Sequence, residues 1–305
     1  MRAALFGVAL VAMLSIATPS HAALRVVATT TDLASLTAEV GGDVVVVDSI
    51  VPPGVDPEAF EPRPADLEKL RNAGALVRVG LGYDFWVDAL VARAGNKRLM
   101  RGGDGDVDAS LGVPLLEIRG RGVVNQAGHA HGHANPHYWL DPENAIIMTA
   151  GIAEMLVRRA PEHRERIVAN RERFVGKLRA QLARWTDALA PHAGSKVIAY
   201  HNTWPYFARR FRLDIVDFIE PKAGVAPSPA HLARVISKGR SKQVKAILHE
   251  PYEPENASRF VAQKLGVPLV KLATSVRSMP ETADYSALID YNVTAIARAF
   301  AARNP

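Results

Sequence analysis

Four side chains stand where a predicted strand ends or a loop begins, and each could ligate a cation. Glu58 lies on a proline-stiffened turn after a predicted strand, and His137 follows a proline beside aromatic residues. His201 and Glu250 each directly follow a short predicted strand. Ligands of open α/β sheets bind at the carboxyl ends of strands, and imidazoles and carboxylates ligate divalent transition metals. The sequence therefore predicts a metal site.

Each of these residues also has an ordinary structural interpretation. A lone histidine more often packs in a core or lies on the surface, and Glu250 could cap the segment that follows it. The neighbouring Glu61 is more easily explained as a helix or turn cap than as a ligand. These alternatives stay open at the level of the single residues.

A separate group of histidines lies in a glycine-rich segment just before His137. His129, His131 and His133 occupy alternating positions there, which is typical of a weak, mobile metal-collecting loop. The alternative is a neutral polar loop without a metal-related role.

Composition limits the kinds of protein this can be. The chain has 305 residues, 48% of them hydrophobic and 22% charged, which is a globular composition with room for two lobes. The net charge is +6, but arginines alternate with glutamates and no aromatic residues accompany a basic stripe, so we expect no nucleic-acid partner. Cysteine is absent, so a metal site must use His, Asp or Glu.

The N-terminal segment has the pattern of a secretory signal peptide. Arg2 precedes an apolar run over residues 3–17, and Ser20-His21-Ala22 offers a small-residue cleavage site after Ala22. A membrane anchor is the weaker interpretation because the run is short for a bilayer span. Without a cysteine after the run we do not expect a lipoprotein, and we expect a periplasmic location.

Strand and helix patterns alternate along the rest of the chain. This rhythm predicts an α/β protein with mainly parallel sheets flanked by helices. We interpret residues 102–135 as a surface loop. Residues 161–190 carry a helical apolar stripe and would span about 45 Å. That length predicts one long rigid helix joining an N-terminal lobe, residues 23–160, to a C-terminal lobe, residues 191–305.

Several motifs resemble those of the cluster A-I substrate-binding proteins of metal ABC transporters, the zinc and manganese group. Residues 56–66 read DPEAFEPRPAD against a family pattern D-P-H-x-[YF]-E-P-x-P-x-D, and residues 135–142, NPHYWLDP, match N-P-H-x-W-x-D-P. His201 matches a ligand that the family places before an aromatic-rich turn. Residues 224–229, GVAPSP, are similar to the family segment G-x-x-P-S.

The resemblance implies two α/β lobes on a rigid helix, a metal in the cleft, and delivery to a membrane permease by a monomer. Two departures alter the usual ligand set. Glu58 stands where the family has its first histidine, and residues 273–276, ATSV, lack the late aspartate. Glu250, a water molecule or a loop histidine are candidates for the fourth place, and our hypothesis is Glu250.

The ligand chemistry favours zinc, with manganese or iron(II) as alternatives. Zinc accepts imidazole and carboxylate in a tetrahedral site, whereas additional oxygen ligands favour manganese or iron(II). A periplasmic zinc-dependent hydrolase is a second hypothesis, but no H-E-x-x-H motif is present. A metal buffer that never docks to a permease is a third. Because metal displaces protons from histidines, we expect affinity to fall toward pH 6.5, roughly the ordinary imidazole pKa.

Overall fold

The computed structural model describes residues 22–117 and 134–302. The predicted signal segment, except Ala22, and the predicted collecting histidines His129, His131 and His133 lie outside the described residues.

The first lobe is built on a four-stranded parallel sheet. Its strands are β1 (Leu24–Ala28), β2 (Val45–Ser49), β3 (Ala75–Arg78) and β4 (Asp106–Asp108), in the order β2-β1-β3-β4. The helices of this part of the chain are α1 (Thr31–Gly41), α2 (Pro64–Arg71), α3 (Trp86–Ala94) and α4 (Pro142–Arg159). Strand β3 is buried along its whole length, which explains its continuous apolar run.

The second lobe repeats this strand order. Strands β5 (Lys196–Ala199), β6 (Asp214–Phe218), β7 (Ala246–His249) and β8 (Leu269–Lys271) pair in parallel as β6-β5-β7-β8. The accompanying helices are α6 (Pro205–Phe211), α7 (Pro229–Lys242), α8 (Glu255–Leu265) and α9 (Tyr285–Ala301). The predicted two-lobed α/β fold is confirmed. In each sheet the chain leaves the inner strand first to one side and then to the other, which opens a crevice at the carboxyl ends.

The long helix α5 (Arg164–Leu189) connects the two halves of the chain. Its 26 residues span about 39 Å, with short 3₁₀ turns at both ends. It packs against α1, α4 and α9. The Trp185 indole also donates a hydrogen bond of 2.9 Å to Asp290 of α9. The predicted long helix is therefore present and is packed along its length.

Hydrogen bonds hold the second lobe against the first at the cleft. Asp32, at the start of α1, accepts a bond of 2.9 Å from the Val276 amide. The Trp139 indole donates to the Thr274 carbonyl oxygen at 3.0 Å. These bonds join segments more than a hundred residues apart, so they fix the position of one lobe relative to the other.

An ion pair between Asp141 and Arg210 adds to this interface. Asp141 is fully buried and caps α4 by accepting from the Glu143 amide at 3.0 Å. Its two carboxylate oxygens also accept from Arg210 Nε and Nη2 at 2.6 and 3.1 Å. Because Arg210 lies on α6, one carboxylate serves both the helix start and the lobe contact.

Two elements were missed in the sequence. Strand β4 lies inside the stretch interpreted as a surface loop, and three residues are too few to show a period. Helix α6 follows Trp204, where the sequence predicted only an aromatic-rich turn. Within residues 22–117 and 134–302, no helix combines the length and the hydropathy needed to cross a bilayer.

Replacing Asp141 with alanine should lower the free energy of unfolding by about 3 kcal/mol, because Arg210 loses its buried partner and α4 loses its cap. The matched control is Glu143→Ala, whose carboxylate lies 3.5 Å from Arg210 but is 48% exposed. It should cost less than about 1 kcal/mol. Urea unfolding of the metal-free protein measures both, and equal losses would contradict the assigned role of Asp141.

Candidate metal site

His137 is held in the first lobe by its backbone and its ring. It precedes a 3₁₀ turn, Tyr138–Leu140, and its amide donates to Asn135 Oδ1 at 3.0 Å. Its Nδ1 lies 3.2 Å from the same oxygen, and the ring packs against Tyr83 and Trp139. With Nδ1 engaged, Nε2 faces the cleft, where it lies 3.3 Å from Glu58 Oε1.

Glu58 reaches this point from the loop that follows β2. Its amide donates to Asp56 Oδ1 at 2.9 Å, which closes a local turn at the DPE sequence. Its side chain is only 9% exposed. The loop therefore presents a nearly buried carboxylate at the position where the resembling family has a histidine.

His201 comes from the second lobe and is paired with a residue that the sequence analysis missed. It lies two residues beyond the end of β5, and Glu220 lies two residues beyond the end of the neighbouring parallel strand β6. His201 Nδ1 is hydrogen-bonded to Glu220 Oε2. The signal that could have found Glu220 is its position as the first polar residue after a predicted strand, the same signal that selected His201 and Glu250.

The two imidazoles and Glu58 converge between the lobes. One ligand atom from each of Glu58, His137 and His201 can be chosen so that all three lie within 4.8 Å of one another. The imidazole rings are 5.8 Å apart between centroids and inclined by 73°. Two loops of the first lobe and one of the second thus bring together three of the four predicted ligands.

Glu250 lies beside this group without belonging to it. It follows β7 and is fully buried, with Oε1 accepting from the Trp204 indole at 2.7 Å. Burial raises its pKa to about 7, while the neighbouring His201 acts to lower it. The two side chains therefore interact electrostatically, and ligation by Glu250 stays a prediction.

The segment that lacks the family aspartate, residues 273–276, makes hydrogen bonds to the first lobe. Thr274 and Val276 supply the backbone groups that bind Trp139 and Asp32. The segment is buried from Ala273 to Val276. It contributes to the position of the second lobe and has no carboxylate to offer.

The two histidines differ in charge state because their surroundings differ. Burial lowers the pKa of His137 well below its ordinary value, and the nearby His201 lowers it further. Burial alone would lower the pKa of His201 as well, but its hydrogen bond to Glu220 and the charges of Glu58 and Glu250 prevail and raise it to about 9. At neutral pH, the His137 imidazole is therefore uncharged, whereas the His201 imidazole is protonated and carries a positive charge.

A cavity of about 280 Å³ opens onto the site from the cleft. Its lining includes Glu58 and His201, together with the acidic side chains of Asp56, Glu220 and Glu253. Acidic walls concentrate cations near a cleft. A cation entering by this route meets Glu58 and His201, whereas His137 is buried behind them.

Two α/β lobes on a long helix, with histidines and a glutamate between them, are typical of metal-binding proteins that capture a solute. The family model of ZnuA, the periplasmic component A of a zinc-uptake complex, matches residues 26–299. The chain belongs to this family of metal ABC transporter substrate-binding proteins.

Individual relatives differ in their metal. The manganese ABC transporter substrate-binding lipoprotein PsaA of Streptococcus pneumoniae is 27% identical over 90% of this chain and 88% of its own. The substrate-binding protein FpvC of Pseudomonas aeruginosa, solved with Mn²⁺, has a TM-score of 0.78 at 25% identity, covering 92% of this chain and 99% of that one. A zinc-bound ZnuA deletion mutant has a TM-score of 0.76 at 26% identity, covering 91% and 98%.

Membership of the family decides between two of the sequence-based hypotheses. Its members are substrate-binding proteins of ABC transporters, which work with a membrane permease and an ATPase, and they are not enzymes. The hydrolase hypothesis is therefore wrong.

The raised pKa of His201 changes the expected pH dependence of metal binding. A metal must displace the proton that gives His201 its positive charge, and the pKa of this group is about 9. Between pH 7 and 9 the logarithm of the affinity should rise by about one per pH unit, with about one proton released per metal. Titration calorimetry in buffers of different ionisation enthalpy measures both quantities. An affinity that levels off at pH 7 would indicate an ordinary imidazole pKa and contradict the raised pKa of His201.

Proposed function

We propose that this protein captures a divalent transition metal, zinc, outside the cytoplasm and delivers it to the permease of an ABC importer. The observation that carries the proposal is the convergence of Glu58, His137 and His201 within 4.8 Å of one another. Membership of the metal transporter family supports the same function independently.

The surroundings of the three ligands support zinc over manganese or iron(II). Two imidazoles and a carboxylate form the mixed donor set that zinc binds with four ligands, whereas manganese favours six, mostly oxygen. The rings of Tyr83 and Trp139 pack against His137, with centroids 5.5 and 5.4 Å from its own. Apolar ring faces offer none of the additional oxygen ligands that manganese favours.

Glu250 is the proposed fourth ligand. Trp204 donates to its Oε1, and the buried Oε2, with the Thr203 hydroxyl nearby, is the oxygen proposed to bind the cation. Its charge already interacts with His201, which follows the neighbouring strand of the same lobe. Ligation by this oxygen would add a negative charge and complete a set of two imidazoles and two carboxylates.

Capture and delivery follow from the two lobes. A cation entering through the acidic cleft binds groups from both lobes and cross-links them, and the permease recognises this loaded form. All the proposed ligands come from one chain, so a monomer is sufficient. The predicted signal peptide supports export to the periplasm, where the metal is collected.

Substitution of each proposed ligand tests the site. His137→Ala and His201→Ala should each weaken zinc binding by more than about 100-fold, since losing a ligand costs more than losing an outer partner. Glu58→Gln and Glu250→Gln should each weaken it by at least about tenfold. His163→Ala, a histidine at the start of α5 whose side chain is 27% exposed, is the matched control and should bind normally.

Zinc binding is measured by competition with a fluorescent chelator. Unchanged affinity in both histidine variants would contradict the function, while unchanged affinity in Glu250→Gln would remove only that residue from the site.

Competition among metals tests the choice of zinc. At equal free concentrations of zinc, manganese and iron(II), zinc should occupy most of the protein, because imidazole ligands bind it more strongly than the other two. Metal analysis after anaerobic equilibration and desalting measures occupancy. Predominant manganese or iron would reassign the transported metal and leave the capture mechanism intact.

A further inference from the structure

The carboxylate of Glu220 is buried at the edge of the proposed site and contacts the His201 ring at Nδ1, the nitrogen that would not bind the metal. Glu220 is 8% exposed and follows β6, while its amide donates to the Tyr200 carbonyl oxygen at 2.9 Å. Because β5 and β6 are adjacent and parallel, the two chain segments leave the sheet side by side. The backbone thus fixes the distance between Glu220 and the imidazole.

Both oxygens of this carboxylate are engaged with different partners. Oε2 is bonded to His201 Nδ1, and Oε1 accepts from the Gly224 amide at 2.6 Å. Gly224 has a φ of +74°, a conformation that glycine adopts without strain, and this turns its amide toward the carboxylate. A carboxylate held at both oxygens cannot rotate freely, so it holds the plane of the imidazole.

We infer that Glu220 is a positioning residue that fixes His201 with Nδ1 protonated and Nε2 directed at the metal. The inference rests on the proposed function, since it assigns Glu220 a role in the same site. A histidine ligand binds metal through only one ring nitrogen, and the partner of the other nitrogen decides which one is available.

The two histidines of the site are positioned by different kinds of acceptor. The Nδ1 of His137 faces the neutral amide oxygen of Asn135, whereas the Nδ1 of His201 faces a carboxylate. A carboxylate partner makes an imidazole a stronger electron donor than an amide does. Glu220 therefore makes His201 the stronger of the two imidazole ligands.

Substitution of Glu220 should weaken zinc binding although Glu220 does not touch the ion. Glu220→Ala removes both contacts. Glu220→Gln keeps the shape, but it replaces one of the two carboxylate oxygens with an NH2 donor, which cannot accept from His201 or from Gly224. Each variant should lose about 10- to 100-fold in zinc affinity.

Glu253→Gln is the matched control, because it removes a carboxylate that lines the same cavity but is hydrogen-bonded to Tyr200. It should lose less than about threefold in affinity, a difference of under about 1 kcal/mol. A comparable loss in Glu253→Gln would show that only the negative charge of the cleft matters and would overturn the inference.

Nitrogen-15 NMR supplies a readout that a merely structural role would not change. In zinc-loaded wild-type protein and in Glu253→Gln, His201 should show a protected Nδ1–H proton and metal on Nε2. In Glu220→Ala, which leaves no acceptor beside Nδ1, this proton should exchange rapidly with water. Wild-type affinity, or a protected Nδ1–H, in both Glu220 variants would overturn the inference. Failure of the wild-type protein to bind any of the three metals would instead overturn the proposed function.

Discussion

The site depends on how firmly the two lobes are held against each other. His137 and His201 come from different lobes, and their rings are 5.8 Å apart between centroids. A cation can bind both imidazoles only while that separation is kept to within a fraction of an ångström, because zinc–nitrogen bonds are about 2.0–2.1 Å long. Every contact that fixes one lobe relative to the other therefore also sets the geometry of the ligands.

Two sets of contacts hold the lobes in place: helix packing around α5 and hydrogen bonds at the cleft. Helix α5 packs against helices from both ends of the chain, and α9 is bonded to it through Trp185 and Asp290. At the cleft, the Asn135 side chain donates to the Asn202 carbonyl oxygen at 2.9 Å. Asn135 also faces His137 Nδ1, and Asn202 follows His201, so the bond between the lobes adjoins both imidazoles. The lobe interface and the metal site are thus parts of one network.

Much of the fold could be predicted from the sequence because short local patterns mark where many of its helices and strands begin. Pro142 and Pro229 begin α4 and α7 behind side-chain caps, and β-branched runs mark the strands. Strand order was not predictable in this way. It depends on which buried faces pack together, and three-residue β4 has too short a pattern to be recognised.

The candidate ligands were found for a reason that also explains what was missed. Polar side chains that follow parallel strands converge at one edge of an α/β sheet. This rule identified His201 and Glu250 as candidates. Glu220 follows a strand in the same way, but its partnership with His201 depends on β6 lying next to β5. Glu250 interacts electrostatically with His201, yet its hydrogen bond to Trp204 could not be predicted from either segment alone.

The same dependence on three-dimensional neighbours applies to the charge of the histidines. An isolated imidazole titrates near pH 6.5. In the folded chain, His137 is shielded by aromatic rings, while His201 is surrounded by carboxylates, and their pKa values move in opposite directions. One ring is thus ready to bind a cation at neutral pH, and the other exchanges a proton for it.

Whether one cation joins the two lobes can be seen in a crystal structure of the zinc-loaded protein, with the ion located by its anomalous scattering. We expect a single strong peak between the lobes, about 2.0–2.1 Å from Nε2 of both His137 and His201. A peak bound to only one of these rings, or one located outside the cleft, would contradict it.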